Sequence, residues 1–183
     1  MSSISVAGDT SGSVTLQAPA VAGSTVLTLP ATSGTVMVNG PAFSAYASAS
    51  QTITNNVATK VAIDTVNFDT ASCFSTANNR FTPTVAGYYQ VNGLVACTGV
   101  TTVTQVNAYL YKNGVSVLRS GIITGSLSAG SQNHAMLSTL VYMNGSTDYL
   151  ELWGMIQGTG TLTFAYASAS NTSFFSAALV RSA

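Results

Sequence analysis

Phe74-Ser75-Thr76-Ala77-Asn78-Asn79-Arg80-Phe81-Thr82-Pro83-Thr84-Val85-Ala86-Gly87-Tyr88-Tyr89-Gln90-Val91-Asn92-Gly93-Leu94-Val95 is the stretch whose reading decides the fold. Phe81 is expected to begin a strand, and Pro83 to Gly87 to turn the chain. Beyond the turn, Tyr89, Val91 and Gly93 share one face of a strand, because successive side chains of a strand point to opposite sides.

The same reading extends in both directions. Short runs rich in Val, Thr, Tyr and Phe, separated by turn residues, predict strands at 43–49, 59–66, 72–75, 87–97, 104–112, 115–119, 132–143, 147–156, 161–168 and 173–180. Asn113-Gly114 lies between Val106–Tyr111 and Val115–Leu118. That dipeptide favours the positive φ that a two-residue hairpin turn requires. Asn144-Gly145 is read the same way, as the turn joining two longer strands. Helical periodicity is not convincing anywhere. The fold class is therefore all-β, an antiparallel sandwich or jelly roll.

Composition adds a second constraint. Among 183 residues there are five Lys or Arg and five Asp or Glu, so the formal net charge is zero, while 46 % of residues are hydrophobic. A small monomer with so few charges has little to hold it apart from its neighbours, so a subunit that buries its outside against copies of itself is expected. Lys60, Arg80, Lys112, Arg119 and Arg181 are scattered and form no stripe that could follow a phosphate backbone, which argues against nucleic acid as a partner. No segment has the length and apolarity of a membrane span. Met1 to Val6 lacks the basic start and apolar run of a signal peptide; exposure to the outside is expected through assembly onto a particle in the host cytoplasm and release by lysis.

Several blocks resemble the C1q-like globular domain of the C1q/TNF jelly-roll superfamily. They are the 74–95 stretch, the Tyr111-Lys112-Asn113-Gly114 hairpin, the Val141–Leu152 strand–loop–strand block, and Ser173-Phe174-Phe175-Ser176-Ala177-Ala178-Leu179-Val180, where Ala177 replaces the family's Gly. The resemblance covers roughly residues 41–181. It implies a ten-stranded jelly roll assembled as a tight homotrimer without catalytic machinery. Phe81, Tyr89, Tyr109, Trp153, Phe164 and Phe174 are the aromatics assigned to core or trimer interface, since ring burial stabilises such a sheet. Some family members bind calcium. Asp64, Asp69, Asp148 and Glu151 are too few for the several hard oxygen ligands calcium wants, so no metal and no cofactor is expected.

Residues 1–40 differ from the knob at 41–183. They hold no aromatic residue and one charge, Asp9. Ser13–Gln17, Thr25–Leu29 and Thr35–Val38 alternate with period two, which predicts three short strands; disorder is the alternative reading. Three such strands cannot close a core alone. The blocks Gly8–Pro19, Gly23–Pro30 and Gly34–Val38 resemble a repeat near the ends of tailed-bacteriophage fibre and virion proteins. On that resemblance the segment is an anchoring or oligomerisation arm, with Val14, Leu16, Val26, Leu27, Leu29, Val36 and Val38 as its contact residues.

The remaining candidates for chemistry are sparse. His134 is the single histidine, and nothing selects a serine to pair with it. Asp148 and Glu151 are equally readable as solvent-facing acids. Cys73 and Cys97 are either two buried thiols or one disulfide. The segments 98–104 and 121–131 are the longest candidate contact loops. The expected function is a non-enzymatic virion surface protein. It is a capsid decoration (cement) protein held by its arm to the major capsid protein. The alternative is a tail fibre or tip knob that joins a tail protein and recognises a host-surface glycan or protein.

Overall fold

The structure, a computed structural model, describes residues 3–17, 20–21, 23–24, 26, 40–98, 102–127, 133–165 and 172–183, with residues 98 and 122–127 described by backbone alone. In chain order the strands are β1 (Ser3–Ala7), β2 (Ser13–Gln17), β3 (Ala42–Tyr46), β4 (Gln51–Ile53), β5 (Thr59–Lys60), β6 (Thr65–Asp69), β7 (Phe74–Ser75), β8 (Arg80–Phe81), β9 (Ala86–Thr98), β10 (Thr102–Lys112), β11 (Val115–Leu127), β12 (Asn133–Asn144), β13 (Leu150–Thr159), β14 (Leu162–Phe164) and β15 (Phe174–Ser182). The chain divides into two units, residues 1–35 and 36–183.

In the first unit β1 and β2 form an antiparallel hairpin with Ile4 opposite Leu16 and Val6 opposite Val14. The 13–17 strand was expected; its partner at 3–7 was not, although Ser3-Ile4-Ser5-Val6 alternates. The expected strands at 25–29 and 35–38 lie outside the described residues, apart from the exposed Val26.

The second unit is a sandwich of two antiparallel sheets. Sheet I runs β12-β9-β15-β3-β6, with β14 and then β4 added at the Thr98 end of β9. Sheet II runs β11-β10-β13-β8-β7, with β5 also paired to β13. The core between them is built on aromatics. Phe43 of sheet I stacks on Phe74 and Phe81 of sheet II, each at 4.6 Å between ring centroids. Phe175 meets Phe43 edge-on at 5.2 Å, and Tyr89 meets Phe81 edge-on at 5.5 Å. The Tyr89 hydroxyl donates to the Val85 carbonyl at 2.7 Å, so the phenol enters the core with its polar tip satisfied. Burial pushes its pKa up to about 12. Gly93 is small for a packing reason: a Cβ there would come within 2.7 Å of the Leu152 side chain in the facing sheet.

Several expected boundaries are corrected. Arg80–Phe81 is a two-residue strand that stops at Phe81, so Phe81 ends a strand rather than beginning one. The expected 59–66 strand is two strands. Lys60 pairs with Trp153 in sheet II and Thr65 with Tyr46 in sheet I, and the buried Val61 and Ile63 cross between the sheets. The expected 115–119 strand continues to Leu127, so most of the supposed 121–131 loop is strand. Gly121 reads as a breaker but sits opposite Asn107, whose side-chain amide occupies the space a Cβ would need. Residues 102–104 likewise belong to β10 rather than to a loop.

The two Asn-Gly turns behave differently. Asn113 (φ 53°) and Gly114 (φ 80°) both take positive φ, and Lys112 pairs with Val115 across a tight hairpin. At 144–145 only Gly145 does (φ 71°). β12 pairs with β9 and β13 with β10, so this turn crosses between sheets instead of closing a hairpin. Asn144 Oδ1 accepts the backbone N–H groups of Ser146, Thr147 and Asp148 at 2.9, 3.0 and 3.0 Å, which fixes the wider loop. Cys73 and Cys97 are free buried thiols.

Candidate interaction surfaces

Alternation along the strands gives each sheet an inner and an outer face. On sheet I, Tyr89, Val91 and Val95 point inward and are buried, as are Ala135, Leu137 and Met143 of β12. Their neighbours point outward. Cross-strand register then sets the outer face in rows. Met136 stands opposite Leu94, which stands opposite Phe174, which stands opposite Tyr46. Two residues along, the row is Ser138, Asn92, Ser176 and Ser44, then Leu140, Gln90, Ala178 and Ala42, and finally Tyr142 with Tyr88.

This face is apolar except for one polar lane. Met136 is 61 % exposed, Leu140 57 %, Tyr88 47 % and Tyr142 45 %. Hydrogen bonds run within the lane: Gln90 Nε2 donates to Ser138 Oγ at 2.9 Å, and Ser138 Oγ donates to Asn92 Oδ1 at 2.9 Å. Among the described residues of these rows Arg181, opposite Tyr88 at the end of β15, is charged, and at the same end the Lys112 ammonium from sheet II lies 5.8 Å from the Tyr142 ring. His134 is exposed at the other end of β12, opposite Ala96.

The outer face of sheet II holds Glu151, Lys60, Arg80 and Arg119, and they are engaged. Glu151, its side chain 4 % exposed, is gripped from three sides. Lys60 Nζ lies at 3.1 Å and Arg80 Nη2 at 2.8 Å from Oε1, and Trp153 Nε1 donates to Oε2 at 3.1 Å. Burial opposes its ionisation, but the hydrogen bonds from Arg80, Trp153 and Lys60 outweigh it and hold the carboxyl below the ordinary glutamate value. Trp153 stacks on Tyr111 at 4.6 Å, Tyr111 meets Tyr109 edge-on, and the guanidinium of Arg80 lies 3.6 Å over the Tyr149 ring. At the rim between the sheets, away from this face, Lys112 Nζ donates to the Tyr142 carbonyl of β12 at 2.7 Å and pairs with Asp148 at 2.9 Å, and Asn113 Nδ2 donates to the same carboxylate at 2.8 Å. These donors lower the Asp148 pKa as well.

Of the aromatics singled out in the sequence, Phe81, Tyr89 and Phe164 are buried in the core. Tyr109 and Trp153 lie half-buried on the outer face of sheet II, and Phe174 lies half-buried on the outer face of sheet I. The core ring at that place in β15 is its neighbour Phe175. Of the arm residues, Val14, Leu16 and Val26 are exposed; Leu27, Leu29, Val36 and Val38 lie outside the described residues. Among the described residues no group of three or more His, Cys, Asp and Glu is placed to hold a metal ion, and no helix is long and apolar enough to cross a membrane. The sequence missed the outer face of sheet I as a unit. The signal was the second phase of the alternation in β12, His134-Met136-Ser138-Leu140-Tyr142, which contains no Lys, Arg, Asp or Glu.

No family model and no curated protein matches the chain. Solved structures do. The globular domain of zebrafish complement 1qA protein superimposes with a TM-score of 0.58 at 15 % identity, covering 79 % of this chain and 100 % of that one. The Eiger TNF of S. frugiperda gives 0.56 at 10 % identity, covering 79 % and 93 %, and murine APRIL at pH 5.0 gives 0.56 at 9 % identity, covering 78 % and 100 %. Identities this low speak to fold alone, and the two-sheet register agrees: the knob of this chain has the C1q/TNF jelly-roll fold.

Proposed function

We propose that the chain is a non-enzymatic homotrimeric surface protein of a bacteriophage particle, a capsid decoration protein joined to the major capsid protein through its N-terminal arm. The observation that carries the trimer is the outer face of sheet I. Met136, Leu140, Tyr142 and Tyr88 stand 45–61 % exposed beside a hydrogen-bonded polar lane. Burying a large apolar side chain is worth about 1.5–3 kcal/mol. The C1q-like resemblance supports three copies. The particle assignment rests on the resemblance of the arm to phage fibre and virion proteins, and on a composition too poor in charge for a free monomer.

The test is immunogold labelling of intact phage particles that encode this chain, with antibody against residues 42–183. Label spread over the head is the expected result. Label confined to the tail makes the knob a host-contact element and calls for a glycan-binding screen. Particles that carry no label overturn the virion assignment.

A further inference from the structure

The β1–β2 hairpin carries an unpartnered face of its own. Register puts Ile4 beside Leu16 and Val6 beside Val14 on one side, and Ser3, Ser5, Ala7, Ser13, Thr15 and Gln17 on the other. Every residue of both strands is exposed, the four aliphatics by 58–69 %. A lone two-stranded hairpin is marginal in water and needs an apolar face to be covered. The turn is orderly, with Gly8 N–H donating to Gly12 O at 2.9 Å and Gly12 at φ 75°, so register is fixed and the apolar set cannot slip to the other side.

We propose that two further copies of the same hairpin cover this face, so that the three arms of a trimer close Ile4, Val6, Val14 and Leu16 around a common axis. This rests on the trimeric reading above. Two observations select copies over a separate protein. The face is uncharged and wholly aliphatic, so it offers no complementary group by which a foreign surface is chosen. It is also too small to hold a free partner: four side chains compare with about 20–30 residues a side in a stable two-body interface. A tethered copy escapes that limit, because the knobs hold the arms at high effective concentration. The shell contact of the arm then falls to residues beyond the hairpin, Val26, Leu27, Leu29, Val36 and Val38.

The test uses the full chain with Val6→Cys, treated with a short thiol-to-thiol crosslinker, and Ser5→Cys as its opposite-face control. Cys73 and Cys97 are buried and do not compete. The expected result is a trimer in solution in which Val6→Cys yields linked dimer as roughly two thirds of the chain, since three thiols about one axis form one link, while Ser5→Cys yields several-fold less. A trimer in which Val6→Cys stays unlinked, or links no better than Ser5→Cys, overturns this inference and leaves the trimer standing. A chain that sediments as a monomer overturns the trimer itself, and this inference with it.

Discussion

The two outer faces of the sandwich have opposite characters. The outer face of sheet II carries Glu151, Lys60, Arg80 and Arg119, which are bound to one another or stacked on rings. Sheet I carries exposed Met, Leu and Tyr with a hydrogen-bonded polar lane. The charges of one face are paired within a single chain, and the apolar side chains of the other stand open to solvent. The difference separates stability from assembly: the chemistry of sheet II holds the monomer together, and the bareness of sheet I is what a second copy can bury.

Three substitutions sharpen that contrast. The largest effect is expected in the core that both sheets share. Tyr89→Ser removes a buried ring packed on Phe81 and should cost about 3 kcal/mol or more; denaturant unfolding reads the loss, and an unchanged midpoint contradicts the core assignment. Next comes Glu151→Gln, which weakens charge-assisted hydrogen bonds from Arg80, Lys60 and Trp153. It should cost about 2 kcal/mol without changing the number of chains in the assembly. The same residue sets a pH dependence. Its folded pKa lies below the unfolded one, so its contribution is complete above the ordinary glutamate value of 4.5 and is lost as pH falls through the folded value. Glu151→Gln should therefore flatten the acid limb of the stability curve, and a limb unchanged in the variant refutes the role. The smallest effect is Gly114→Ala, about 1 kcal/mol for a Cβ in the left-handed region at φ 80°. A hairpin melting as readily as before in hydrogen exchange shows the strain is absorbed.

What was legible in the sequence was local. Asn113-Gly114 encodes its turn by itself, and the alternation of Tyr89, Val91 and Gly93 encodes the buried side of β9. What was hidden depended on partners far along the chain. Asn144-Gly145 looks identical to a hairpin turn until β12 and β13 are seen to pair with different sheets. Glu151 looks like a solvent-facing acid because Lys60 and Arg80 stand 91 and 71 residues away. In Phe174-Phe175 two adjacent rings leave the phase of the strand undetermined, and the register with Ala45 and Tyr46 decides that Phe175 goes inward. Residues 121–127 read as loop because Gly121 marks a close approach by Asn107, not a break, while 128–131 lie outside the described residues.

The contrast between the faces is tested most directly by the mass of the full chain in sedimentation equilibrium, before and after Met136→Glu with Leu140→Glu. Two charges placed in the apolar rows of sheet I leave the core and sheet II untouched. The account predicts three-chain mass for the natural sequence and one-chain mass for the double variant, with the same β-rich circular dichroism. A natural chain of one-chain mass, or a double variant that keeps three-chain mass, contradicts it.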